Sequence, residues 1–244
     1  MKEQRNDMVI ITGATNGIGK AITQRVLASG QVCYAVVRDV AKMREMFSNV
    51  DLSNLFVTDY HCKSFHENMP LYYKTDASHA VLVLNAFDIS PIKMAVELTT
   101  EDISKNIDFN IAKQIETVLK AWEFARYQNV SLKIVSIDSG AAYRPICGWS
   151  MYCAGKAYIN MFLKVFSKEN EIPIVLYDPG VVDTNMQETI RSSDIHDFPL
   201  VETFKNYHSL HQLNSPADVA EDIWERYLSK WTAKEFCERF CDME

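Results

Sequence analysis

Met8-Val9-Ile10-Ile11-Thr12-Gly13-Ala14-Thr15-Asn16-Gly17-Ile18-Gly19 decides the fold. Met8 to Thr12 is a short apolar, β-branched run that stops at a glycine, the pattern of a central strand buried on both faces. Beyond it Ile18, Ile22, Val26 and Leu27 recur at helical spacing, and Gly30 stands where a left-handed C-terminal cap belongs. The turn between strand and helix holds Gly13, Gly17 and Gly19. Glycines there let the backbone turn sharply, approach a pyrophosphate and pack the helix on the sheet, while the helix N-terminus offers free N–H groups to an anion. A P-loop counted from Gly13 fails, because Ile18 occupies its second glycine position and Lys20 is followed by Ala21. The turn therefore predicts dinucleotide binding by Gly13, Thr15, Asn16, Gly17, Ile18 and Gly19.

Outward from this unit the strand and helix patterns alternate. Val32 to Val37, Leu55 to Thr58, Ala80 to Leu84, Leu132 to Ile137 and Ile172 to Tyr177 are apolar, strand-like runs. Ala41 to Phe47, a long stretch from Thr100 to Tyr127, and Ser150 to Lys168 carry helical spacing. Such alternation implies parallel pairing with right-handed crossovers, hence an α/β fold: one doubly wound parallel sheet between two helix layers. Pro70 interrupts whatever helix lies between Lys63 and Lys74. Residues 183–214 are the least regular, with helical pieces at Met186 to Arg191 and Val201 to Leu210, and are expected to form a lid over a cleft or else a plain surface excursion. No repeat or linker divides the 244 residues, so one domain over 1–244 is expected.

Composition narrows the function classes. A net charge of −7 without a basic run disfavours nucleic acid. The polar start and the interrupted apolar run offer neither a secretory segment nor a membrane span, so a soluble, cytoplasmic protein is expected. Six scattered cysteines without a CxxC pair suggest reduced, structural thiols. The histidines lack metal-ligand spacing, and no metal site is expected. Only eight glycines occur, and none lies between Val40 and Asp138, so each glycine marks a position where a side chain is hard to tolerate.

Arg38 follows the second strand where an adenosine ribose would sit. An acid there binds a 2′-hydroxyl, whereas arginine attracts a 2′-phosphate, so Arg38 favours NADP(H). Asp39 either pairs with Arg38 or caps the next helix. Tyr152 and Lys156 are four apart on one helical face, and an ammonium beside a phenol stabilises the phenolate and permits proton exchange with an alcohol or carbonyl. Ser139 ends a strand and is placed to hydrogen-bond the same substrate oxygen.

Over nearly its whole length the chain resembles the short-chain dehydrogenase/reductase family. Residues 12–19, TGATNGIG, match the family's TGxxxGxG turn; Tyr152 and Lys156 match its YxxxK; and Ser139 lies thirteen residues before the tyrosine. Asn110 falls on the fourth catalytic position, and residues 178–184, DPGVVDT, resemble the nicotinamide-side PG motif. The resemblance implies a Rossmann-type fold, with Tyr152 as acid/base, Lys156 lowering its pKa and holding the nicotinamide ribose, Ser139 orienting the carbonyl and Asn110 keeping a water-linked proton path. It places Asn85, Ala86, Pro179, Gly180, Val182 and Thr184 against the cofactor. Asp59 either meets the adenine or only ends its strand. The branch most resembled is that of sepiapterin and benzil reductases, which implies reduction of a ketone, dicarbonyl or pterin-like carbonyl. Tyr143, Ile146 and Met186 are then expected to line the substrate pocket, and Trp149 either stacks on the substrate or packs its loop. Asp183 either holds a pterin guanidine or caps the following helix. A homodimer or homotetramer is implied through the two long helices.

Four residues depart from the family pattern. Phe87 stands where NNAG has its glycine, Asn16 replaces a basic residue, Asp138 replaces a small one, and Gly155 replaces the serine of YxxSK. Phe87 and Asp138 keep open an alternative, a catalytically weak NADP-binding regulatory or partner protein. Sequence leaves the direction of the reaction open.

Overall fold

The computed structural model describes residues 7–49, 52–60, 77–233 and 236–239. The Pro70 region, Cys62 and Cys241 lie outside those residues. The strands are β1 (Met8–Thr12), β2 (Val32–Val37), β3 (Leu55–Asp59), β4 (His79–Leu84), β5 (Ser131–Ile137), β6 (Ile174–Asp178) and β7 (Cys237–Arg239). They form one parallel sheet in the order β3-β2-β1-β4-β5-β6-β7. The doubly wound architecture is as expected, while β7, too short and polar to show an apolar pattern, was not anticipated.

The period of two along each strand builds two cores. Val9 and Ile11 of β1, Val81 and Val83 of β4, and Val175 and Tyr177 of β6 face α1 (Gly17–Ala28) and α8 (Pro216–Ile223). Their neighbours Met8, Ile10, Leu82 and Leu176 face α4 (Lys113–Gln128) and α5 (Ser150–Asn170). Between them lie α2 (Val40–Met46) and α3 (Thr100–Ile107), the latter opened by a capping box of Thr99 and Asp102. With glycine scarce, α4 and α5 end on left-handed Asn129 and Glu171, at φ 56° and 54°.

The helical stretch expected from Thr100 to Tyr127 forms, though not as one regular α-helix. A π-turn at Asp108–Ala112 separates α3 from α4 and contains Asn110. Such turns insert one extra residue and re-aim a side chain, commonly at a functional site. The other correction is β6, which starts at Ile174, after Pro173, rather than at Ile172; proline has no N–H for the ladder.

Residues 183–214 contain α6 (Asn185–Arg191) and α7 (Val201–Ser209). The excursion is pinned at its base by Asn214, whose N–H donates to Val181 O at 2.8 Å and whose Nδ2 donates to Pro179 O at 2.9 Å.

Candidate active site

The strand order reverses between β1 and β4, and the loops leaving the carboxyl ends of the central strands surround a cleft of about 430 Å³. In open α/β sheets ligands bind at this switch point. Its first wall is the turn after β1. Gly13 and Gly17 have φ of +71° and +49°, and a Cβ on Gly17 would stand 2.7 Å from Thr184 Cγ2. A Cβ on Gly19 would overlap the Gly13 carbonyl oxygen and stand 2.6 Å from Asn85 Nδ2. Side chains are thus excluded at Gly17 and Gly19 of the turn. No side chain caps α1 at Asn16 and no acid occupies its first turn, leaving the N-terminus able to receive a phosphate.

The second wall follows β4. Thr12 Oγ1 accepts from the N–H groups of Asn85 and Ala86, both at 2.9 Å, and Asn85 Nδ2 donates to Thr12 O at 2.9 Å. Asn85 therefore locks the two loops together while lining the cleft. At the β2 end, Arg38 lines the cleft, stands 5.4 Å over the Phe109 ring and makes no ion pair with a described residue. Asp39 settles as a helix cap, accepting from Lys42 N at 2.9 Å. Asp59 is exposed as the last residue of β3 and does not line the cleft; the buried neighbour Tyr60 does.

Ser139, Tyr152 and Lys156 converge at the third wall, past β5, and all three line the cleft. Tyr152 and Lys156 are each 6% exposed. Burial pushes the Tyr152 phenol well above its ordinary range, against the pull of its hydrogen bond with Ser139. Burial also brings the Lys156 ammonium down to about 8, opposed by Asp138 and Asp178. Lys156 Nζ donates to Ile137 O at 2.7 Å. The cleft thus joins a glycine cradle for phosphate to a buried phenol and ammonium. The sequence model of the short chain dehydrogenase family matches residues 7–195.

The chain belongs to the short chain dehydrogenase family. It is 33% identical over 223 residues to the benzil reductase ((S)-benzoin forming) of Bacillus subtilis, covering 88% of this chain and 90% of that protein. It is 30% identical over 118 residues to the sepiapterin reductase of Xenopus laevis, covering 46% of this chain and 44% of that one. The crystal structure of the KRED1-Pglu enzyme shares its fold, with a TM-score of 0.80 at 22% identity over 91% of this chain and 95% of that chain. The protein is thus an oxidoreductase of the family that uses nicotinamide dinucleotides.

Three further residues singled out from the sequence lie outside the cleft lining of this short chain dehydrogenase. Asn110 is fully buried, its Oδ1 accepting from Asp88 N and its Nδ2 donating to Asp88 O, both at 2.8 Å. Its side chain braces the loop after β4 and does not line the cleft. Tyr143 is also outside the cleft lining: its hydroxyl donates to Asp138 Oδ2 at 2.8 Å, while Asn160 Nδ2 donates to Asp138 Oδ1 at 2.9 Å. The unusual Asp138 is the anchor of that network. Asp183 neither caps α6, where Thr184 is the N-cap, nor lines the cleft; it faces Arg191 at 4.0 Å.

Pro179, Gly180, Val182 and Thr184 line the cleft at the end of β6, and Met186 and Ile146 line its far end. Trp149 also lines it, while one face of its indole is covered by Phe198, with ring centroids 4.9 Å apart and planes 5° apart. Phe198 and Val201 join Trp149, Tyr152 and Ile190 in a third apolar cluster, tying the excursion to the start of α5. Sequence reasoning missed Arg144, whose guanidinium lies across Gly140 in the cleft, and Gln187, a cleft residue with a buried, unpartnered Oε1. Neither residue's type and spacing pointed to a role in the cleft.

Proposed function

We propose that the protein is an NADPH-dependent carbonyl reductase that converts a ketone, dicarbonyl or pterin-like carbonyl to an alcohol. The observation that carries this reading is the convergence of Ser139, Tyr152 and Lys156 on the same cleft as the glycine turn and Arg38. The cradle, the uncapped α1 N-terminus and the cleft-facing arginine fit such a cofactor, which when bound supplies a hydride. Ser139 holds the carbonyl oxygen, Tyr152 gives it a proton, and Lys156 stabilises the phenolate left behind. The likeness to benzil reductases supports an activated carbonyl as substrate. Mixing protein and NADPH with benzil, 1-phenyl-1,2-propanedione or sepiapterin should consume the cofactor's absorbance; binding of NADPH without turnover on any carbonyl would instead favour a regulatory protein.

The preference for NADPH rests on Arg38, since Asp39 is committed to its cap. A charge-assisted hydrogen bond contributes about 1.5–3 kcal/mol, so Arg38→Ala should raise the KM for NADPH roughly tenfold to hundredfold. The KM for NADH should change less than about twofold, and equal losses for both cofactors would reassign the arginine.

Residues 183–214 serve in this reading as the substrate lid, since Met186 and Ile190 reach the cleft from them. Free thiols on Cys33, Cys147, Cys153 and Cys237 support a reducing, cytoplasmic setting, and among the described residues no helix is long and apolar enough to cross a membrane. The proposal includes a homodimer or homotetramer. Support comes from α5, which exposes Tyr158, Met161 and Val165 at 52%, 61% and 47%, and from α4, which exposes Leu119. Sedimentation should show a dimer or tetramer, and Met161→Glu with Val165→Glu should shift it to monomer; a monomeric parent would end this part of the proposal.

A further inference from the structure

Gly155 is the only glycine within the 21 residues of α5, and glycine weakens a helix interior. A side chain there would crowd a neighbour: a Cβ would stand 3.1 Å from Phe87 Cζ, close enough that the ring would have to give by a few tenths of an ångström. The Phe87 ring comes from the loop after β4 and meets both reactive groups. Its plane is 86° from that of Tyr152, with centroids 5.4 Å apart, and Lys156 Nζ lies 4.0 Å from its centroid. The ammonium is therefore held between two fixed points, the Ile137 carbonyl at 2.7 Å and a ring face.

We propose that Phe87 is a positioning residue for the Tyr152/Lys156 pair, with Gly155 as the notch that admits it, a role that rests on the catalytic reading of that pair. A ring quadrupole attracts a cation most strongly where water is excluded. The other groups facing Lys156 are Tyr152 on its own helix, Asp138 at the end of β5 and Asp178 at the end of β6. Neither carboxylate is free to close on the ammonium, because Asp138 is held by Tyr143 and Asn160 and Asp178 accepts from Gly180 N at 3.0 Å. Phe87 supplies the remaining restraint, and its ring sits most closely on the pair when the residue before the lysine carries no Cβ.

Two readouts, neither requiring turnover, test this. In the parent protein Gly155→Ala should lower the Tm by roughly 2–4 °C, whereas in a Phe87→Ala background the same change should raise it by a similar amount, since alanine is the better helix former. Additive effects would overturn the pairing. The Lys156 titration, followed by 13Cε-lysine NMR of the unliganded protein and assigned by its loss in Lys156→Arg, should move down by roughly half a unit to one unit in Phe87→Leu, which keeps the apolar bulk and removes the ring face. An unchanged midpoint would reduce Phe87 to packing and overturn the positioning role. Failure to reduce any carbonyl would remove the catalytic reading and leave both measurements interpretable.

Discussion

Tyr152→Phe should lower kcat for carbonyl reduction by about a thousandfold, within the range for loss of a positioned general acid. The substitution removes one hydroxyl from a ring whose surroundings stay the same, since Phe87 and Trp149 meet it edge-on at centroid distances of 5.4 and 5.5 Å. Stability should hold within about 1 kcal/mol, as a single lost hydrogen bond would give, and NADPH affinity within about twofold. The raised phenol suits a donor, because it stays protonated through the neutral range and is ready when the carbonyl oxygen gains charge. Its weakness as an acid has to be offset at the moment of transfer, and the nearest cation among the described residues is Lys156, 5.8 Å from the Tyr152 ring centroid. The lysine performs that role only while charged, and burial has brought it down to about 8. Reduction should therefore be fastest below that value and decline as pH rises through it. A rate flat to pH 10, or a Tyr152→Phe enzyme within tenfold of the parent, would place the proton source elsewhere.

The strand-turn-helix of residues 8–28 was legible because its signals are local: an apolar run, a break at glycine and a helical period adjoin one another. Tyr152 and Lys156 were legible for the same reason, since four residues on a helix fix two side chains on one face. What sequence did not reveal depends on partners far along the chain. Tyr143 looks like a pocket residue until Asp138 and Asn160 are seen to hold its hydroxyl. Asn110 matches a catalytic position, but neither the brace its amide makes on Asp88 nor the π-turn that carries it has a periodicity to read. Trp149 had two open readings, and the packing on one of its faces comes from Phe198, on a loop without regular pattern. Phe87 and Gly155 stood out separately as departures, and only in space do they become one feature.

The second large effect is expected at the cofactor turn. Gly19→Ala gains helix propensity, worth about 1 kcal/mol in an open helix, but its Cβ would overlap the Gly13 carbonyl oxygen and lie 2.6 Å from Asn85 Nδ2 and 2.9 Å from the Gly13 carbonyl carbon. Two of these atoms are backbone, and Asn85 is held by its bond to Thr12 O, so relief requires the turn to move away from the sheet. Overpacking of this kind costs about 3 kcal/mol, which corresponds to a Tm lower by roughly 6–12 °C. On the proposed function NADPH should bind at least about tenfold more weakly, because the displaced N–H groups are those that would meet the pyrophosphate. Gly30→Ala separates the two causes. Gly30 has φ of +79° and a Cβ added to it would meet nothing within 4 Å, so alanine there costs only the left-handed backbone, about 1 kcal/mol. It should lower the Tm by a few degrees and leave NADPH affinity unchanged. If Gly19→Ala behaved like Gly30→Ala, with a small loss of stability and intact NADPH binding, the turn would be a structural corner and the phosphate would have to be held by other residues.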